Sequence, residues 1–165
     1  MASTYEKIAT TTLSSLQTEI TLSSIPATYT DIVLIFNGVR GAGPDLDLCL
    51  RFNTDTGNNY SNTTLRGNGV TADSYRNSSQ SIIRLGVITA DRTTLRADIM
   101  NYANTTTYKT VLARQDSINS TYGLTTNVGL WRDTAAINSI IIRNQPTFGS
   151  FESGCIATIY GIKAA

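Results

Sequence analysis

Along the whole chain, short runs of β-branched and aromatic residues are cut off within a few positions by Gly, Asn, Asp, Ser or Pro, and no stretch is periodic for long enough to make a substantial helix. The closing third shows this most plainly, with YGLTTNVGLWR (Tyr122–Arg132), NSIIIRN (Asn138–Asn144) and CIATIYGI (Cys155–Ile162). A chain punctuated in this way satisfies its backbone by pairing strands antiparallel. With ten or so candidate strands at the spacing typical of sandwiches, the simplest architecture is two antiparallel sheets packed face to face, in a jelly-roll or lectin-like order. The 165 residues carry no linker and no fixed-period repeat, so residues 1–165 read as a single domain.

Individual segments sharpen this expectation. Tyr5–Thr12 and Gln17–Leu22 read as a first hairpin turning near Ser14 and Ser15. Asp31–Asn37 (DIVLIFN) is the most apolar run and predicts a strand buried on both faces or tucked under a second sheet. Leu46–Phe52 alternates cleanly, with Leu46, Leu48, Leu50 and Phe52 on one face and Asp47, Cys49 and Arg51 on the other. Tyr60–Arg66, Ser81–Leu85, Leu95–Tyr102 and Tyr108–Arg114 also read as strands. Gly38–Asp45 and Asn68–Ser79 read as loops, and Asp133–Ile137 (DTAAI) as a short helical turn.

Charged residues are only 15% of the chain, and the polar role passes to Ser, Thr and Asn, which make up about a third of it. The net charge is +1 and the thirteen Lys and Arg are scattered singly, so the basic stripe that nucleic-acid binding requires is missing. No apolar run is long enough to span a bilayer, and the opening MASTYEKIATTT lacks the basic-then-apolar order of a secretory signal. A cytoplasmic origin without standard export is the expectation. The Asn-x-Ser/Thr triplets at Asn59, Asn62, Asn77, Asn104 and Asn119 then read as accidents of composition. Cys49 and Cys155 each sit in a strand run. They read as two buried thiols, with an inter-strand disulfide as the alternative.

The chain contains no histidine, which removes the Ser-His-Asp and Cys-His arrangements and His-based metal sites. Asn37–Gly43 (NGVRGAG) lacks the lysine and the following helix of a phosphate loop. Asp45 and Asp47 share a strand face, as a glycosidase pair could, but almost any Asp-x-Asp meets that distance and an exposed polar strand face or loop edge explains them better. Asn53, Asp55, Gly57 and Asn59 loosely resemble a calcium loop without its closing Glu or flanking helices, and suit a hairpin loop better. Trp131 could stack on a sugar if exposed, but Val128 and Leu130 beside it favour a partly buried ring. Tyr5, Tyr29, Tyr60, Tyr75, Tyr102, Tyr108, Tyr122 and Tyr160 supply the kind of side chain that interfaces enrich. These residues predict no catalytic, cofactor or metal site and a protein that is not an enzyme.

STYEKIATTTLSS (Ser3–Ser15), SSIPATYTDIVLIFNG (Ser23–Gly38), RFNTDTGNNYS (Arg51–Ser61), MNYANTTTYKTVLAR (Met100–Arg114), VGLWRDTAAINSI (Val128–Ile140) and IYGIKAA (Ile159–Ala165) resemble, in this order, small β-sandwich virion proteins of tailed phages of aquatic bacteria, including cyanophages. The resemblance covers most of the chain and is weakest over residues 67–96. It implies a component of the phage particle and transfers no functional residue. The expected role is a virion surface protein, a capsid decoration that binds and stabilises the shell, with the major capsid protein or another virion protein as partner. A tail-fibre tip that binds a receptor or glycan is the alternative. A homotrimer is expected because three weak contacts reinforce one another on a threefold site. An enzyme using Asp45 or Asp47 on polysaccharide is the remaining reading.

Overall fold

Twelve strands account for most of the residues that the computed structural model describes, which are 4–117, 123–145 and 149–163. They are β1 (Tyr5–Thr12), β2 (Glu19–Leu22), β3 (Asp31–Gly38), β4 (Leu46–Phe52), β5 (Tyr60–Gly67), β6 (Ala72–Gln80), β7 (Ile83–Ile88), β8 (Thr93–Met100), β9 (Lys109–Ser117), β10 (Leu124–Trp131), β11 (Ile140–Gln145) and β12 (Ile156–Ile162). Asn119 and Tyr122 lie outside the described residues. All pairings are antiparallel. A large sheet runs β1-β12-β3-β8-β9-β10-β5-β6, and a small one runs β2-β11-β4-β7. The expected two-sheet sandwich is therefore present, with unequal layers. No helix among the described residues is long and apolar enough to cross a membrane.

The core lies between the sheets, where alternate residues of both inner faces meet. Leu34 and Phe36 of β3, Leu95 and Ile99 of β8, Leu48 and Leu50 of β4, and Ile140 and Ile142 of β11 are all fully buried there. β3 is buried on its other side as well, since Val33 is only 1% exposed, as its unbroken apolar run predicted.

Three local readings are corrected. The first hairpin does not form, because β1 pairs with β12 in the large sheet and β2 with β11 in the small one. Between them Leu13 turns inward, donating to Cys155 O at 2.9 Å and accepting from Gly154 N–H at 2.7 Å, so the chain is fastened to β12 before it can fold back. Asn68–Ser79 is mostly strand. A turn closed by Asn68 Oδ1, which accepts from Val70 N–H (3.0 Å) and Thr71 N–H (2.8 Å), leads into β6. β6 is an edge strand held by its ladder to β5 and buries almost nothing, so it carries no apolar period to read. Asp133–Ile137 is not helical. Asp133 Oδ1 takes the Ala135 N–H (2.8 Å), Ile137 N–H goes to Tyr102 O (2.8 Å), and the buried Lys109 ammonium donates to Thr134 O (3.1 Å). An aspartate bonding its own backbone two residues on competes with the first helical turn.

Cys49 lies on the outer face of the small sheet, as its alternation predicts, yet is 1% exposed. Arg143 and Arg84 stand directly opposite it on the two neighbouring strands, and the aliphatic stems of arginines can cover a small thiol. Cys155 is equally buried, donating from Sγ to Val39 O at 3.2 Å, and both thiols are free. We expect neither to react with a thiol reagent in the native protein, and both to react in denaturant. Burial, then the nearby Asp47 charge, pushes the Cys49 thiol far above its ordinary value of 9.0. The folded state therefore holds a proton that the unfolded chain releases, so stability is complete below pH 9.0 and falls above it. Each further pH unit costs about 1.4 kcal/mol per such thiol. Melting temperatures measured from about pH 8 to 11 should fall, and Cys49→Ala should flatten the slope; an unchanged slope would contradict this assignment.

Candidate functional site

Two surfaces stand out once the strands are assembled. The first comes from an inversion in β5 and β10. Along β10, the side chains turned into the sandwich are Thr125, Asn127, Gly129 and Trp131, while Leu124, Thr126, Val128 and Leu130 face out. In β5, Asn62 and Thr64 point in and Leu65 points out. Leu65, Leu124 and Val128 are 59%, 61% and 53% exposed, and the half-buried Leu112 and Leu130 adjoin Val128 on the same face.

The buried polar residues have a structural reason. β7 is the edge of the small sheet, and its backbone lies against the large sheet where no strand can pair with it. Asn127 Nδ2 donates to Leu85 O at 2.6 Å, and Gln115 Oε1 of β9 accepts from Val87 N–H at 2.5 Å. Thr64 donates to Asn127 Oδ1, and Asn62 Nδ2 reaches Thr64 Oγ1 at 3.2 Å. These side chains satisfy an edge that would otherwise be buried with open donors and acceptors. Nothing comparable accounts for the leucines and valine on the other side.

The second surface is a cleft of about 390 Å³ where the β5–β6 hairpin overhangs the outer face of the small sheet. Its walls carry the amides of Asn62, Asn77, Gln80 and Gln145, and Asp47 and Arg84 pair within it at 2.6 Å. The Arg84 guanidinium also lies 5.5 Å from the centre of the Tyr75 ring.

Asp45 and Asp47, read together in the sequence, are each taken by an arginine: Asp45 by Arg40 at 2.9 Å and Asp47 by Arg84. Asn53, Asp55, Gly57 and Asn59 form the β4–β5 loop, and their polar groups are spent inside the protein. Asn53 bonds Ala136 O (2.7 Å) and Asn138 N–H (2.9 Å), pinning the connector before β11. Asp55 accepts from Gly57 N–H (2.8 Å), Asn59 Nδ2 (3.0 Å) and Trp131 Nε1 (2.7 Å). Burial alone would raise the Asp55 carboxyl, but these three donors together hold it below its ordinary value. Among the described residues, no three His, Cys, Asp or Glu side chains gather as metal ligands.

Trp131 is core, 1% exposed, stacked on Tyr60 (6.2 Å between centroids, 14° between planes) and tilted against Phe52 (5.4 Å). It is more deeply buried than the sequence suggested and offers no face to a sugar. Tyr60 and Tyr102 are buried, Tyr29, Tyr75 and Tyr160 half-buried, and Tyr5 and Tyr108 exposed. Asn62 is 3% exposed and could not carry a glycan.

Sequence reading missed the outward leucines and the arginines around the cleft. The alternation of β10 was visible, but apolar residues are ordinarily assigned inward, and only the placement of Trp131 reverses that choice. Arg51, Arg84 and Arg143 come from three strands far apart in the chain, so no spacing announces them. No protein-family model, curated protein or solved structure matches the chain.

Proposed function

We propose that this protein is a structural component of a phage particle, a non-catalytic surface domain that attaches through the outer face of its large sheet, as a capsid decoration protein does. The observation that carries this is the inverted β5–β10 pair, which turns apolar side chains to solvent and polar ones to the core. The resemblance of most of the chain to small virion sandwiches supports the particle as the place of attachment.

The dimensions suit this reading. The outer faces of β5, β10 and β9 together form a strip that covers about 400 Å², with Leu65, Leu112, Leu124, Val128 and Leu130 as its apolar residues. All eight strands cover about 1,000 Å² before twist, comparable to one partner's share of a specific interface, about 800 Å². The strip is flanked by polar β6 and, on the β8 side, by the Arg96–Asp98–Arg114 cluster (2.6 and 3.7 Å), an apolar centre with a polar rim. Attachment as a trimer would multiply the affinity of such a modest surface.

Mass spectrometry of purified particles should find this chain at a copy number comparable to the major capsid protein. A handful of copies would favour the tail-tip alternative. Leu65→Glu with Val128→Glu should leave the domain folded, since both side chains are already solvated, and reduce its retention on particles at least tenfold. Unchanged retention of that variant would refute attachment through this face. Light scattering of the free protein tests the trimer directly.

A further inference from the structure

The outer face of the small sheet holds charges that its own fold leaves unbalanced. In the β11–β4 ladder Arg143 faces Cys49 and Arg51 faces Ile141, so the two arginines are diagonal neighbours on one face. Like charges at such positions repel. Among the described residues, no carboxylate lies within ion-pair distance of either. Arg51 is steadied by one bond from Nε to Ser81 O at 3.3 Å. Both arginines line a recess of about 90 Å³ together with Gln145 and Ile82, and those same two residues also line the larger cleft. Recess and cleft are thus two compartments of one groove.

Their chemistries differ in a way that describes a ligand. The recess offers two guanidinium groups, which bind a planar carboxylate or a sulfate ester. The cleft has the size of a small-molecule site. The amides of Asn77, Gln80 and Gln145 on its walls are each donor and acceptor at once. A sugar hydroxyl has the same double character. Arg84 is already committed to Asp47 and stacked near Tyr75, so it acts as a fixed wall and not as a free cation. Among the described residues no aromatic ring lines either compartment, which argues against a nucleobase.

We propose that this groove binds an acidic saccharide, with the anionic group between Arg51 and Arg143 and the sugar ring among the amides of the cleft. The groove lies on the other side of the sandwich from the apolar face, so this site stands whether or not that face docks on a particle.

The test is calorimetric titration of the full chain with four probes: a galacturonic acid tetrasaccharide, its methyl ester, a sulfated galactose tetrasaccharide and inorganic sulfate. Binding of the uronate at least tenfold tighter than its ester is expected, and the sulfated sugar shows whether carboxylate or sulfate is preferred. Arg143→Gln should weaken the anionic saccharides about tenfold and leave the ester unchanged. Asn77→Ala, at the rim of the cleft, should weaken acid and ester alike. Amide NMR spectra confirm that both variants are folded. The proposal fails if neither anionic saccharide binds at millimolar concentration or if acid and ester bind equally. It also fails if Arg143→Gln changes nothing, or if inorganic sulfate binds as tightly as the saccharides.

Discussion

Trp131→Ala is expected to lower the free energy of unfolding by about 4 kcal/mol, the upper range for truncating a large buried aromatic. In a chain of this length that corresponds to a fall in melting temperature of about 8–16 °C. Three losses combine. The indole is the largest fully buried side chain, and its removal opens a cavity between Tyr60 and Phe52, two rings that belong to different sheets. The Nε1–H bond to Asp55 disappears with it. The β4–β5 loop, folded around that carboxylate, loses an anchor. Trp131→Phe separates these effects, because it retains most of the ring and loses the donor. It should cost less than half as much. It should also move the acid-unfolding midpoint upward, because Asp55 contributes stability above its ordinary value that is lost as pH falls through its depressed one. If thermal melts show less than 1 kcal/mol for Trp131→Ala, the ring is not the keystone of this end of the sandwich.

Gly86→Ala should cost about 3 kcal/mol, the sum of overpacking and one lost buried hydrogen bond. A methyl group at residue 86 would meet Gln115 Oε1 at 1.8 Å and Gln115 Cδ at 2.7 Å. Gln115 cannot swing away freely, because Oε1 is the acceptor for Val87 N–H. Displacing it leaves a buried donor open on the β7 edge. Gln115→Ala alone removes the same acceptor and should cost a comparable amount. Combined, the two substitutions should be less damaging than their sum by 1 kcal/mol or more, since the new methyl group occupies space the amide has vacated. Strict additivity in denaturant titrations would show that Gly86 is small for some other reason.

How much of this was legible in the sequence depended on whether burial or backbone chemistry decided each element. β3, β4 and β12 were readable because their apolar residues fall where the core needs them. Alternation even put Cys49 on the correct face, though it could not show that arginines on β11 and β7 would flank it. β6 was unreadable because a ladder can be held by backbone alone, and polar side chains on an edge strand discourage pairing with other chains. The turn at Asp133 was misread because propensity favours a helix over DTAAI, whereas Lys109, Asn53 and Tyr102 reach in from three other elements to hold it open. The two candidate surfaces were hidden for opposite reasons. The groove draws on residues scattered in sequence. The apolar face follows from an exception to the rule that apolar residues go inside, made so that Asn127 and Gln115 could reach the β7 edge.

The unequal sheets also impose an order of events during folding. In the large sheet, β5–β6, β8–β9 and β9–β10 are successive strands joined by local connections, so they can pair early. The small sheet contains no such pair. β2 meets β11 through Leu22 and Ile140, β11 meets β4 through Ile140 and Phe52, and β4 meets β7 only after the β5–β6 hairpin has intervened. Every one of these contacts must close a long loop, which is entropically costly. The four-stranded layer is therefore the late-forming one, assembled on a template the larger sheet provides. Until it docks, the polar residues of β9 and β10 remain hydrated and the inward apolar residues of β3 and β8, among them Leu34, Phe36, Leu95 and Ile99, face the solvent. The interval before β11 arrives, when that inner face is open, is when this chain is most prone to self-association.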